Sequence, residues 1–320
     1  MLDNNASVNT SSISSCILNP YYVTGFTDGD GAFHISLKKK TGTDKYYTTL
    51  SFSVGLHKKD EELLKLIQQY FGGVGTLSVN EKVALWRVRS IKSLKVIIDH
   101  FDRYPLITKK RIDYLLFKEA YQLIINKDHL SEEGLNKLAN LRANINLGFS
   151  DALKESFPGL RPGIDVLSIQ KELELDIDYE SINPNWVAGF TDAEGCFFVT
   201  IQENKAKGLY QIKLGYQVSK HVRDTLLIKS FKVFFDCGRT EPSGRSGISF
   251  RVTKIKDIVG IIIPFFEKYP LLSSKSKDYL DFKKISRLII SKAPLTPEGL
   301  TEIKRIKSGM NSLREFSSND

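Results

Sequence analysis

Cysteine is scarce in this chain. Its three copies, Cys16, Cys196 and Cys237, form neither a disulfide framework nor a metal-ligand spacing. A reducing compartment fits. Long apolar runs are missing too. The stretch Ile258 to Phe266 falls short of the roughly 20 residues a membrane span needs, and it holds Pro264. No membrane partner is expected. The first 18 residues contain no Lys or Arg and are rich in Ser and Asn. They therefore read as neither a mitochondrial presequence nor a signal peptide. A disordered arm over 1–18 is the expectation. What the chain does have is cationic charge: 46 Lys and Arg against 37 Asp and Glu, a formal +9 spread over both halves. That balance favours a polyanionic partner without identifying it.

The second thing present is a repeat. Asn19-Pro20-Tyr21-Tyr22-Val23-Thr24-Gly25-Phe26-Thr27-Asp28-Gly29-Asp30-Gly31 returns as Asn183-Pro184-Asn185-Trp186-Val187-Ala188-Gly189-Phe190-Thr191-Asp192-Ala193-Glu194-Gly195, 194 − 30 = 164 positions later. The same offset aligns Val54 to Asp60 with Val218 to Asp224, and Trp86-Arg87 with Phe250-Arg251. At Tyr104-Pro105-Leu106 and Tyr269-Pro270-Leu271 the offset becomes 269 − 104 = 165. Each copy reads helix, two strands, helix, two strands, helix, with a further helix or two. The expectation is therefore an α+β protein of two pseudo-symmetric αββαββα domains, 19–150 and 183–320. A linker is expected at 151–182, with Pro158-Gly159, Pro162-Gly163 and an acidic stretch from Glu172 to Glu180 as a solvated connector.

Each motif helix opens on Asn-Pro, a good N-cap followed by a good first helical residue. Gly25 and Gly29, and their counterparts Gly189 and Ala193, lie four apart and so share a face. Glycine inside a helix costs about 1 kcal/mol relative to alanine, so the pair implies close approach of one helix to the other. That packing would bring the helix C-termini, and with them Asp30 and Glu194, side by side. Two adjacent carboxylates beside free carbonyls make a hard oxygen site suited to Mg²⁺. Asp28 and Asp192 are expected to fix the helix ends rather than bind metal. An EF-hand reading of Asp28-x-Asp30 fails, because Ala32 occupies the next ligand position. Beyond each acid, Phe33, Ile35 and Leu37, and likewise Phe197, Val199 and Ile201, alternate with other residues, as in strands with one face buried.

The paired segments Val23 to Gly31 and Val187 to Gly195 resemble the LAGLIDADG homing endonucleases, in the single-chain two-motif form of fungal organellar introns. The resemblance runs over about residues 19 to 315. It implies a monomer that hydrolyses one phosphodiester per strand of double-stranded DNA within a long asymmetric site, leaving 3′ overhangs. It implies a β-saddle over the major groove, with the motif helices at the domain interface. The alternation then assigns the reading face: His34, Ser36, Lys38, Lys40, Tyr47, Thr49, Ser51, Ser53, Ser78, Asn80, Arg87 and Arg89 in the first half. The second half offers Phe198, Thr200, Gln202, Asn204, Lys213, Gln217, Arg239, Arg245 and Arg251, with Phe198 and Tyr47 as aromatics that could instead pack.

The resemblance also implies Mg²⁺ held by Asp30 and Glu194 with the backbone carbonyls of Gly29 and Ala193. The ion would polarise the phosphate and help generate hydroxide. Lys110 and Lys275 are the implied transition-state cations, with a one-residue slip to Lys109 left open. His57 and His221 stand where many relatives carry Gln, and would position water. The unequal acids imply unequal rates for the two strands. A group I intron maturase, binding intron RNA on the same saddle, is the alternative, and a DNA-binding regulator a third. Mitochondrial localisation follows from family habit alone.

Overall fold

The computed structural model describes residues 18–43, 45–145, 151–157, 177–179, 181–204 and 209–311. The expected disordered arm (bar Leu18) and most of the acidic stretch lie outside them. The first half runs α1 (Pro20–Asp30), β1 (Gly31–Lys39), β2 (Tyr46–His57), α2 (Glu61–Tyr70), β3 (Thr76–Val79), β4 (Val83–Val88), α3 (Ile91–Arg103), α4 (Lys110–Ile125) and α5 (Glu132–Asn144). A short α6 (Asp151–Ser156) comes next. The second half repeats the order: α7 (Pro184–Glu194), β5 (Gly195–Asn204), β6 (Leu209–His221), α8 (Thr225–Phe235), β7 (Arg239–Ser243) and β8 (Gly247–Val252). It continues with α9, made of the consecutive segments Ile255–Asp257, Ile258–Ile262 and Ile263–Lys268, and ends on α10 (Lys275–Ile290) and α11 (Pro297–Ser308). The architecture is α+β, and no described helix is long and apolar enough to cross a membrane.

Each half holds a four-stranded antiparallel sheet, ordered β1-β2-β4-β3 and β5-β6-β8-β7. The registers are the same under the repeat: Phe33 faces Phe52 across the first sheet, and Phe197 faces Tyr216 across the second. One face of each sheet carries the apolar residues against helices. Phe33 packs on Phe52, Phe101, Tyr114 and Phe117, while Phe197 packs on Tyr216, Phe266, Tyr279 and Phe282. Each such fully buried ring contributes about 1.5–3 kcal/mol of transfer free energy. The other face of each sheet is left uncovered by helices, which is why it can be polar.

The jump in offset from 164 to 165 has a structural cause. Residues 255–268 carry one more residue than α3, and the extra one is accommodated in a π-helical turn at Ile258–Ile262. A π turn absorbs a single inserted residue without displacing the chain on its C-terminal side. The later segments, including Lys275, therefore stay in register with those of the first half.

α1 and α7 pack directly on each other. Asn19 Oδ1 accepts from the Tyr21 N–H at 2.9 Å, and Asn183 Oδ1 from the Asn185 N–H at 2.9 Å, so both N-caps form as the sequence implies. A Cβ on Gly25 would stand 2.1 Å from the Trp186 carbonyl oxygen, and one on Gly189 would stand 2.1 Å from that of Tyr22. Only glycine permits this approach at either position.

At the two ends of the expected linker, side chains are built into the fold. Phe157 is buried against Tyr46, Ala139 and Ala143, and Ile182 is buried in the second core. The Tyr179 hydroxyl donates to the Ile107 carbonyl at 3.4 Å. Apolar side chains at these positions gain more from burial than a free connector would allow.

Candidate active site and nucleic-acid interface

The C-terminal ends of α1 and α7 meet at the centre of the molecule. Asp30 and Glu194 end these helices, and each side chain is partly exposed. A Cβ on Gly29 would lie 2.2 Å from the Ala193 Cβ and 3.2 Å from the Glu194 Cγ, so the small-residue stripe sets how closely the two acids converge. Burial, together with the negative charge of Glu194, pushes the Asp30 carboxyl above its ordinary range.

Asp28 and Asp192 turn inward instead. Asp28 accepts from the Ile107 N–H (3.0 Å), the Thr108 N–H (3.2 Å), the Thr108 hydroxyl (2.6 Å) and Trp186 Nε1–H (2.8 Å). Asp192 accepts from the Leu272 and Ser273 N–H groups, the Ser273 hydroxyl and, at 2.5 Å, the Tyr22 hydroxyl. Tyr22 and Trp186 are repeat-mates, so each motif helix lends an aromatic donor to the buried acid of the other. These bonds fasten the segment before each lysine helix to the motif helices. Burial leaves the Asp28 carboxyl above its ordinary range, opposed in part by the bonds from the Thr108 hydroxyl, the Ile107 N–H and Trp186. Asp28→Asn places an amide N–H against donors. It should cost about 2–4 kcal/mol, measured as a lowered midpoint in equilibrium denaturation; an unchanged midpoint would remove this role.

Lys110 and Lys275 open α4 and α10, and both are half-buried. The Lys110 ammonium donates to the carbonyls of Thr27 (2.7 Å) and Gly29 (2.8 Å), and Lys275 donates to those of Thr191 (3.0 Å) and Ala193 (3.2 Å). The carbonyls expected to ligate metal are thus engaged by the lysines, because a helix C-terminus attracts any nearby cation. Burial, reinforced by the like charge of Lys220, pulls Lys110 down to about 8. Burial lowers Lys275 as well. The register that pairs Lys110 with Lys275 brings both ammonium groups to equivalent carbonyls, whereas the Lys109 backbone N–H is taken by Asp224.

That last bond belongs to a reciprocal pair that the sequence did not reveal. Asp224, in the second half, accepts from the Lys109 N–H at 2.7 Å. Asp60, its repeat-mate, accepts from the Ser274 N–H at 2.6 Å and the Ser274 hydroxyl at 3.2 Å. Each half therefore caps the lysine helix of the other. The only signal was the recurrence of a His-x-x-Asp spacing at the 164 offset.

His57 and His221 are exposed at the ends of β2 and β6. Their Nδ1 atoms accept from the N–H of Lys59 (3.3 Å) and of Arg223 (3.2 Å). With Nδ1 used as an acceptor, the neutral ring carries its proton on Nε2 and presents a donor outward. That suits holding a water or phosphate oxygen, not accepting a proton. His57, Asp30, Leu56, Lys275 and Lys82 line one open cavity of about 570 Å³.

The polar sheet faces place the other candidates unevenly. His34, Lys38, Lys40, Tyr47, Thr49, Ser78 and Arg89 are exposed, and Ser36, Ser51 and Arg87 are half-buried, with Lys40 over the Tyr47 ring at 5.9 Å. Ser78, Arg87 and Arg89 line a cleft of about 520 Å³. Ser53 lies on the same face but is only 5% exposed, between β1 and Arg87 on β4, so it is not an open reading position. Asn80 spends its side-chain oxygen on the N–H groups of Lys82 and Val83 in the β3–β4 turn.

In the second half Thr200, Gln202, Lys213 and Gln217 share the corresponding face, with Lys213 donating to Gln202 at 3.3 Å. The side chain of Asn204 lies outside what the structure describes. Arg245 is exposed in the β7–β8 turn. Phe198 packs its ring over Gly215 beneath the Arg251 guanidinium, 5.4 Å away, and supports that arginine rather than standing free. Glu241, which the sequence did not single out, binds both Arg239 (2.8 Å) and Arg251 (2.7 Å), and Gln217 Oε1 accepts a further bond from Arg251 at 2.9 Å. Its mate Arg87 has no such clamp, and its Nε is buried without a hydrogen-bond partner among the described residues.

The family model described as "LAGLIDADG endonuclease" matches this chain twice, over residues 23–121 and 187–286. The chain belongs to the LAGLIDADG endonuclease family. It is 36% identical over 294 residues to "Probable intron-encoded endonuclease 3" of Neurospora crassa, covering 91% of this chain and 54% of that protein. To "Probable intron-encoded endonuclease 2" of the same fungus it is 37% identical, covering 93% and 67%. It thus spans between half and two thirds of those relatives. Among solved structures, the I-SmaMI LAGLIDADG homing endonuclease bound to cleaved DNA superposes with a TM-score of 0.86 at 36% identity, over 93% of this chain and 98% of that one. I-GzeII in complex with its DNA target gives 0.84 at 36% identity, over 93% and 100%.

Proposed function

We propose that this LAGLIDADG protein is a monomeric, divalent-metal-dependent homing endonuclease that hydrolyses one phosphodiester in each strand of a long DNA site. The observation that carries this reading is the convergence of Asp30 and Glu194 on the packed α1–α7 axis, each flanked by a lysine bonded to the preceding carbonyl. I-SmaMI, one of the solved relatives, has also been captured on uncleaved target in the presence of calcium ions. A relative in Saccharomyces cerevisiae, 23% identical, is named a mitochondrial protein, which supports a mitochondrial origin.

The donor set fits Mg²⁺. No cluster of three or more acidic, histidine or cysteine side chains able to hold a metal exists among the described residues. The protein therefore offers at most two carboxylates here, and Mg²⁺ is commonly bound by one or two carboxylates with water and substrate phosphates completing the octahedron. When bound, it supplies Lewis-acid polarisation of the phosphate and a more acidic water. The residues do the rest. Asp30 and Glu194 draw the site to the molecular axis, between the two strands. Lys110 and Lys275, pinned by the helix carbonyls, present fixed positive charge where the phosphorane gains negative charge. The Nε2–H groups of His57 and His221 hold water or phosphate oxygen. The exposed lysines and arginines of the sheets neutralise phosphate, and the strand side chains contact base edges in the major groove.

The test is a plasmid library carrying organellar-gene inserts, incubated with purified protein and Mg²⁺ or with EDTA. Cuts at one long motif with 3′ overhangs, present with Mg²⁺ and absent with EDTA, are expected. No cutting of a library that contains the intron-insertion sites would overturn the nuclease reading and leave intron RNA binding as the next assay.

A further inference from the structure

The two halves differ at one place beside the paired acids. Along the inward face of β2 run Leu50, Phe52, Val54 and then Leu56. The repeat-mates on β6 are Leu214, Tyr216, Val218 and then Lys220. A cation therefore stands at the end of an apolar row, on the face that packs toward the motif helices. Its side chain is 17% exposed, and its ammonium donates to Glu194 Oε1 at 2.6 Å, with the Phe190 ring centroid 5.6 Å away. Among the described residues no lysine donates to Asp30; Leu56, the repeat-mate of Lys220, lines its cavity together with Lys275 and Lys82.

Charge placement explains why this matters. A buried lysine needs a partner, and a charge-assisted bond of this length is among the stronger kinds. That oxygen belongs to the carboxylate that would hold a divalent cation. Lys220 is also drawn toward the helix C-terminus that already attracts Lys275. The pair forms between one strand and the motif helix of the same half, so it does not depend on DNA.

Resting on the nuclease reading above, we propose that Lys220 is a resident counter-ion of Glu194. It occupies the place of an incoming divalent cation in one half only, and makes the two motif acids unequal in metal affinity. With a divalent cation held at Glu194, the Lys220 ammonium would be released and free to turn to a backbone phosphate of one strand. Entry at Asp30 would displace no bonded ammonium among the described residues. The two strands consequently differ in the metal concentration each cut requires, and the strand that depends on Glu194 needs more.

Mn²⁺ binding to the DNA-free protein, followed by electron paramagnetic resonance of the free ion, tests this without any cleavage. Lys220→Leu installs the residue of the first half and should tighten Mn²⁺ binding through Glu194 by roughly tenfold, the equivalent of losing one charge-assisted bond. The reciprocal Leu56→Lys should weaken binding through Asp30. Binding that Glu194→Gln removes, but that Lys220→Leu leaves unchanged, would overturn the proposal alone. Wild-type binding insensitive to both Asp30→Asn and Glu194→Gln, or no binding by any of these proteins, would overturn the metal-site reading and this proposal with it. Strand-resolved nicking of supercoiled plasmid is the second readout. Wild type should show two Mg²⁺ midpoints, which converge in Lys220→Leu. A single midpoint in wild type would also overturn it.

Discussion

Asp30→Asn combined with Glu194→Gln should lower double-strand cleavage by about 10³-fold or more, while affinity for target DNA falls little. The reason is that, in the proposed function, these side chains act on charge developed in the reaction rather than on groove recognition. Loss of metal-derived stabilisation amounts to several kcal/mol, and each 1.4 kcal/mol is a factor of ten. Asparagine and glutamine keep the shape, so the α1–α7 contact set by Gly25, Gly29, Gly189 and Ala193 persists. Removing two negative charges from a phosphate-binding surface favours DNA association. Single-turnover cleavage and gel-shift titration at fixed salt would measure the two quantities. Cleavage that survives the double substitution would displace Asp30 and Glu194 from the chemistry. Binding and cleavage lost together would point to a folding role.

Gly25→Val should be severely destabilising. Its Cβ would sit 2.1 Å from the Trp186 carbonyl oxygen and 3.0 Å from the Phe190 backbone nitrogen, and neither of those atoms belongs to a side chain that can move aside. The motif helices would have to separate. Separation breaks the Trp186–Asp28 and Tyr22–Asp192 bonds and pulls apart the caps that Asp60 and Asp224 place on the opposite lysine helices. A loss of about 3 kcal/mol or more is expected, with cleavage failing even for protein that remains folded. Thermal or denaturant unfolding measures the first effect. A Gly25→Val protein as stable as wild type would mean the helices are free to repack. Gly42, by contrast, has a backbone φ of +74°, and a Cβ added there would meet nothing within 4 Å, so it is held by conformation and not by packing.

Much of this was legible in the chain itself because the gene product contains its own comparison. One copy of Thr-Asp-Gly-Asp-Gly is a turn or a helix cap; its return as Thr-Asp-Ala-Glu-Gly in the same frame implies a pair of equivalent elements. Alternation along Phe33-Ile35-Leu37 and Phe197-Val199-Ile201 fixed which strand face is buried, since strand side chains alternate strictly. The Asn-Pro starts and the four-residue glycine spacing likewise followed from local backbone physics, which needs no knowledge of distant residues.

What the tertiary structure alone decided concerns contacts between residues far apart in sequence. That Ser53 is covered, that Phe198 supports Arg251, and that Glu241 clamps two arginines depend on cross-strand neighbours whose register no local pattern encodes. The engagement of the Gly29 and Ala193 carbonyls by Lys110 and Lys275 required the lysine helices to be docked at the motif-helix ends. The crossed caps of Asp60 and Asp224 and the pairing of Lys220 with Glu194 are of the same kind. Sequence periodicity reports which face of an element avoids water, because that is a property of one element. Which polar group meets which is a property of two elements, and it is fixed only when both are placed.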